Sequence, residues 1–181
     1  MGALIYIISA LSMLIIFVFL LRFLLPWFGA DFRNPIAQGI LRATSPVINP
    51  LRRIVPSIGR LDTATILVLL IVQAGTVILI SALSNTPLTA RLVVFSSILG
   101  LLEQTLQIFT FAIIIRIVLS WIAPHTHNPA TTLLANITDP ILRPFQRFIP
   151  PIGGFDISPI FAIIALGALG ILLRDSLRLF L

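Results

Sequence analysis

The sequence predicts an all-α membrane protein: about four transmembrane helices in two parallel repeats, each a helix hairpin joined by an amphipathic loop rich in proline and arginine. Three observations carry that reading. The 181 residues are 58% hydrophobic and 10% charged, with a mean hydropathy of +1.12, whereas soluble domains have an apolar share of about 45–50%. Four apolar runs reach or approach the roughly 20 residues that a spanning helix needs. Finally, shifting the sequence against itself by 94 residues superimposes residues 22–66 on 116–160 without a gap.

The first span covers residues 3–25. It has no basic stretch before it, is too long for a signal-peptide core, and runs into Arg22 and Pro26 without a small-residue cleavage site, so it is expected to be retained. Tyr6 stands where a myristoylation signal needs Ser or Thr. After Trp27, Asn34 is a good N-cap and Pro35 a good first helical residue, which predicts a short helix. Ile36, Ile40 and Leu41 line one side of it. Ser45-Pro46 repeats the cap-plus-proline device, and Pro50 follows four residues later. A proline there removes a backbone donor and crowds the preceding turn, so the segment is expected to bend rather than continue as a regular helix. The turn Pro56 to Gly59 leads to Asp62 and the second span, 64–83.

The second half, 91–181, repeats the first, 1–90, in the same order. Its first span is 97–123, and Leu92 to Gly100 is expected to lie in the interface or to extend a tilted helix. Trp121, Asn128-Pro129, Asp139-Pro140, Pro144, the Pro150 to Gly153 turn and Asp156 follow, and then the last span, 157–173. Ala130, Leu133, Leu134 and Ile137 recur at helical spacing, which makes this loop amphipathic as well. Identical pairs include Arg22/Arg116, Trp27/Trp121, Asn34/Asn128, Thr44/Thr138, Pro46/Pro140, Pro50/Pro144, Arg53/Arg147, Pro56/Pro150, Gly59/Gly153 and Asp62/Asp156. They fall mostly on residues that interchangeable aliphatics would not mimic. With two spans per repeat, the second enters the membrane in the same direction as the first. Arg33, Arg42, Arg52, Arg53, Arg60, Arg143 and Arg147 crowd the two patterned loops, against Arg91, Arg174 and Arg178 on the other side. The excess of arginine predicts cytoplasmic loops and outward termini.

Net charge is +6 and all twelve basic residues are arginine. Because they cluster beside apolar spans, the expected partners are anionic lipid headgroups rather than nucleic acid; another membrane protein or a second copy of the chain is a further expected partner. The candidate lipid- or partner-binding residues are Arg22, Arg53, Arg116, Arg143 and Arg147. Arg22 and Arg116 have two readings. Each can snorkel to lipid phosphate, or pair with the acid of its own repeat, Asp62 or Asp156. Trp27 and Trp121 suit interfacial belts. Gln73, Glu103 and Gln107 form a candidate polar path, weighed against a structural hydrogen-bonding role. His125 and His127 have no third ligand in view, so no metal is expected. The absence of cysteine excludes disulfides, thiol catalysis and thiolate metal sites. No phosphate-binding loop, nucleophile elbow or zinc-protease motif occurs, so neither enzymatic activity nor a cofactor is expected.

The doubled pattern resembles the YggT family, called YlmG in Gram-positive bacteria and plastids. The resemblance rests on R-x4-W at Arg22/Trp27 and Arg116/Trp121, on N-P at Asn34 and Asn128, and above all on TDPILRPFQRFIPPIGGFDISP from Thr138 to Pro159. The first copy departs from it, with Ser45 for Asp139, Asn49 for Arg143 and Ser57 for Pro151, which points to the second copy as the one with any binding role. The resemblance implies a multi-pass protein of the bacterial inner membrane connected with osmotic or ionic stress tolerance or with assembly, without defining a molecular activity; the repeated Pro/Arg loop and the scarcity of buried charge point to a non-enzymatic scaffold. The alternative is a small oligomeric channel or transporter.

Overall fold

A computed structural model describes residues 1–59, 61–122, 128–149 and 156–178, side chains to 176. Arg60, His125, His127, Pro150 and Gly153 lie outside the described residues. The described residues form six helices: α1 (Gly2–Leu24), α2 (Pro35–Arg52), α3 (Thr63–Ser84), α4 (Ala90–Ile122), α5 (Pro129–Phe148) and α6 (Ser158–Arg178). Four of them, α1, α3, α4 and α6, are long and apolar enough to cross a membrane. Their outward faces carry exposed large hydrophobics such as Leu14, Ile71, Phe111 and Ile164. Lipid tails can cover such faces where water could not.

Local chemistry sets the helix ends. The Asn34 side chain accepts a hydrogen bond from the Ile36 amide at the start of α2. Asn128 and Thr131 exchange hydrogen bonds as a capping box at the start of α5. Asp62 caps α3, which ends at Asn85 in the left-handed conformation, a backbone shape that asparagine tolerates better than most residues.

The offset of 94 governs the tertiary structure as well. α2 and α5 begin at Pro35 and Pro129, while α3 and α6 end at Ser84 and Arg178. α1 packs on α3 and α2, and α4 packs on α6 and α5. Phe19, Ile48 and Val68 belong to the core of the first half, with Val72 against it. The residues in register with these four, Ile113, Leu142, Ala162 and Leu166, form the core of the second. A third cluster joins the halves: Leu25, Ala30 and Ala37 pack with Ala112, Leu133 and Ile137. The internal symmetry is broken at one junction, since α3 packs on α4 but α6 does not touch α1 among the described residues.

Two expectations are corrected. The Pro46/Pro50 and Pro140/Pro144 segments do not restart or leave the helix, because α2 and α5 each run through both prolines. The reason is placement: all four prolines lie on the exposed side. The carbonyls they leave without a donor, those of Arg42 and Pro46 and of Asn136 and Pro140, therefore belong to the outer part of each helix rather than to its buried stripe. Ile36, expected on the apolar side of α2, is exposed, and the buried stripe runs through Ala37, Thr44 and Ile48 instead. The segment Leu92 to Gly100 is the start of the 33-residue α4, which at 1.5 Å per residue is about 50 Å long.

Candidate functional site

The chain concentrates its buried polar chemistry where α2 meets the end of α1 and where α5 meets α4. Arg22 sits one turn from the end of α1 and is only 4% exposed. Its Nη1 donates to Thr44 Oγ1 at 2.6 Å and to the Leu41 carbonyl at 3.2 Å, with Ser45 Oγ more distant at 3.4 Å. Its Nε lies 3.7 Å from Asp62 Oδ2. That is ion-pair range but too far for a hydrogen bond. The Asp62 carboxylate is occupied elsewhere: it accepts from Arg52 Nη2 at 2.6 Å, from Arg52 Nε at 3.3 Å and from Thr65 Oγ1 at 2.7 Å. Burial pushes the Asp62 carboxyl up, but the hydrogen bonds from Arg52 and Thr65 outweigh it and hold the group below the usual carboxylate range.

The second repeat reproduces the arginine–threonine contact and changes the rest. Arg116 Nη1 donates to Thr138 Oγ1 at 2.6 Å, and in each half the threonine hydroxyl donates in turn to the carbonyl four residues back, at 2.7 Å. The acid partner of Arg116 is Asp139, not the expected Asp156. Asp139 stands in register with Ser45 and directly follows Thr138, which Arg116 also contacts, and so it reaches the guanidinium directly. Asp156 instead accepts from the Gln146 amide at 2.8 Å and from the Ser158 backbone at 2.9 Å. Burial pushes the Asp156 carboxyl up, and hydrogen bonds from Ser158 and Gln146 more than offset it, leaving the group low. Gln146 is in register with Arg52.

The two loop helices also touch each other. Asn34 Nδ2 donates to the Pro129 carbonyl at 2.6 Å, a bond that requires both connecting segments to lie at the same end of the bundle. The remaining candidates are dispersed. Arg53, Arg143 and Arg147 are exposed at that end, and no hydrogen bond or ion pair holds them among the described residues. Trp27 and Trp121 are exposed, the former against Phe23. Gln73, Glu103 and Gln107 do not share a partner. Gln73 accepts from Gln104 at 3.1 Å, and Glu103 accepts from Arg174 Nε at 2.6 Å. Gln107 borders a small groove with Met13, Phe17 and Phe111. No group of side chains able to hold a metal occurs among the described residues.

Sequence reasoning missed the roles of Thr44, Thr138, Arg52, Gln146, Gln104 and Arg174. A signal existed for two of them. Between the repeats, Ser45 becomes Asp139 and Arg52 becomes Gln146, two charge changes seven residues apart and hence near one helix face.

A profile of the CCB3/YggT family matches residues 1–83 and 95–177. A protein of Pseudomonas aeruginosa is 40% identical over 177 residues, covering 97% of this chain and 90% of the relative. The Escherichia coli K12 protein YggT is 32% identical over 169 residues, 92% of this chain and 86% of the relative. The chloroplastic YlmG homolog protein 2 of Arabidopsis thaliana is 42% identical over 66 residues, 35% of this chain and 25% of the relative. No solved structure is significantly similar.

Proposed function

From the premise that the chain belongs to the CCB3/YggT family, we propose that it is a non-enzymatic membrane scaffold whose paired loop helices bind anionic lipid or a partner membrane protein. The observation that carries this reading is the two-sidedness of α2 and α5. Each turns a buried stripe to the spans, which fixes its position in the bundle, and leaves Arg53, Arg143 and Arg147 exposed at one end. Exposed guanidiniums on helices fixed beside apolar spans, with their donors unspent among the described residues, suit phosphate oxygens. In this proposal that end faces the cytoplasm of a bacterial inner membrane, where each arginine near an anionic surface is worth about 1 kcal/mol. A link to osmotic or ionic stress tolerance is part of the same proposal. Glu103, held by Arg174, serves the bundle in this reading rather than a transport path.

The test is lipid enrichment around the purified protein in mixed bilayers of phosphatidylglycerol and phosphatidylethanolamine. Changing Arg53, Arg143 and Arg147 together to Gln is expected to lower the phosphatidylglycerol enrichment clearly. Unchanged enrichment, together with unchanged recovery of membrane partners by crosslinking, would sink the proposal.

A further inference from the structure

The two repeats share an architecture but not a charge. In the first, Arg22 and Arg52 face the single carboxylate of Asp62, which leaves one positive charge among these three described side chains. In the second, the single guanidinium of Arg116 has Asp139 against it, and Asp156 has a neutral amide, that of Gln146, where Asp62 has a guanidinium. The second cluster therefore carries a net negative charge.

The excess positive charge of the first repeat borders a cavity of about 320 Å³, lined by Arg22, Phe32, Arg52, Ser57, Gly59 and Asp62, among others. At about 30 Å³ of liquid volume per water, it has room for about ten waters. A phosphate with its glycerol fits such a space and a pair of acyl chains does not. Arg52 is 46% exposed and keeps donors available beyond the two that Asp62 takes. Arg22 is held by Thr44 and Leu41, with its charge only partly compensated across 3.7 Å. Gly59 has a φ of +60° and itself adds no side chain to the wall of the cavity.

We propose that this cavity of the first repeat is a binding site for a singly charged phosphate ester, and that the second repeat compensates internally what the first leaves for a ligand. A monoanionic phosphodiester matches the excess charge of the described trio Arg22, Arg52 and Asp62, whereas a dianion would work against Asp62. This assignment reverses the expectation that any binding role belongs to the second copy. It rests on the scaffold reading only in placing this end of the bundle at headgroup depth.

The second repeat supplies its own control, because its arrangement already exists in the same molecule. The double variant Ser45→Asp/Arg52→Gln gives the first repeat the second's charges and leaves Arg22 with an acid partner. Native mass spectrometry of the full chain, with phosphatidylglycerol or phosphatidylcholine as probe, is expected to count one tightly retained phosphatidylglycerol on the wild type. In the double variant its affinity should fall about ten-fold or more, the worth of one or two charge-assisted hydrogen bonds. A parallel titration with inorganic phosphate distinguishes the sources: displacement of the lipid at millimolar phosphate assigns the site to free anions as well, and no displacement assigns it to lipid. Equal lipid retention by wild type and Ser45→Asp/Arg52→Gln would overturn the site. Because Arg53, Arg143 and Arg147 are not among the residues that line the cavity, their triple variant judges the scaffold reading separately.

Discussion

Arg22 is the residue whose environment differs most from what an arginine costs in a membrane. Full exposure to hydrocarbon would cost several kcal/mol, and water is excluded from a side chain only 4% exposed. The structure meets that cost with fixed dipoles as well as with a counter-ion: a threonine hydroxyl and a helix carbonyl lie closer to the guanidinium than its acid does. Arg116 has the same hydroxyl but also a carboxylate in direct contact, and it is one-third exposed. The two threonines are therefore unequal in energy although equal in geometry. Thr44→Val should lower stability by about 1.5–3 kcal/mol, the range for a hydrogen bond to a charged group, and Thr138→Val by about 1 kcal/mol or less. Thermal unfolding in one detergent would measure both, and an equal loss would contradict the ordering. Thr44 and Thr138 were visible in the sequence as an identical pair, but periodicity gives no account of a polar residue inside an apolar stripe. Only the approach of α1 explains it.

At the scale of elements, the spans were legible because a run of apolar residues has few other uses, and the starts of α2 and α5 because asparagine followed by proline is a strong local signal. Their continuation past the internal prolines was not legible. A proline lowers helix propensity wherever it falls, but the penalty depends on whether its face is buried, and that is decided by partners distant in sequence. The α3–α4 junction is another element-scale feature that sequence pattern could not show. Gln73 is buried there, and Gly100 of α4 leaves the space that the Gln73 amide fills: a Cβ at that position would collide with it. Gly100→Leu is expected to displace Gln73, break its hydrogen bond with Gln104 and cost about 1–3 kcal/mol through overpacking, seen as a lower unfolding temperature. Gly100→Ala should be much milder, because the end of a glutamine can swing aside and alanine gains about 1 kcal/mol of helix propensity. A severe Gly100→Ala defect would show the junction to be stiffer than this.

For the whole molecule, the parallel arrangement was legible from the ungapped offset, and the bond from Asn34 to Pro129 gives it a physical anchor. The distribution of charge between the copies was legible only in part: the Ser45/Asp139 difference stands in the sequence, but which guanidinium each acid meets is decided by helix packing. The arrangement puts the two loop helices at one end of the bundle, which predicts that they share a side of the membrane. The chain has no cysteine, so single-cysteine variants report cleanly. In sealed vesicles, an impermeant thiol reagent should reach Arg53→Cys and Phe148→Cys from one side and Thr86→Cys from the other; labelling of the first two from opposite sides would contradict the parallel fold. The ion pairs also set a timetable for biosynthesis. Arg22 leaves the ribosome 40 residues ahead of Asp62, from position 22 to 62, whereas Arg116 precedes Asp139 by only 23. At about 5–20 residues per second, the first span waits about 2–8 seconds for its counter-charge and the third about 1–5 seconds. The first hairpin thus completes its charge pairing later in synthesis than the second.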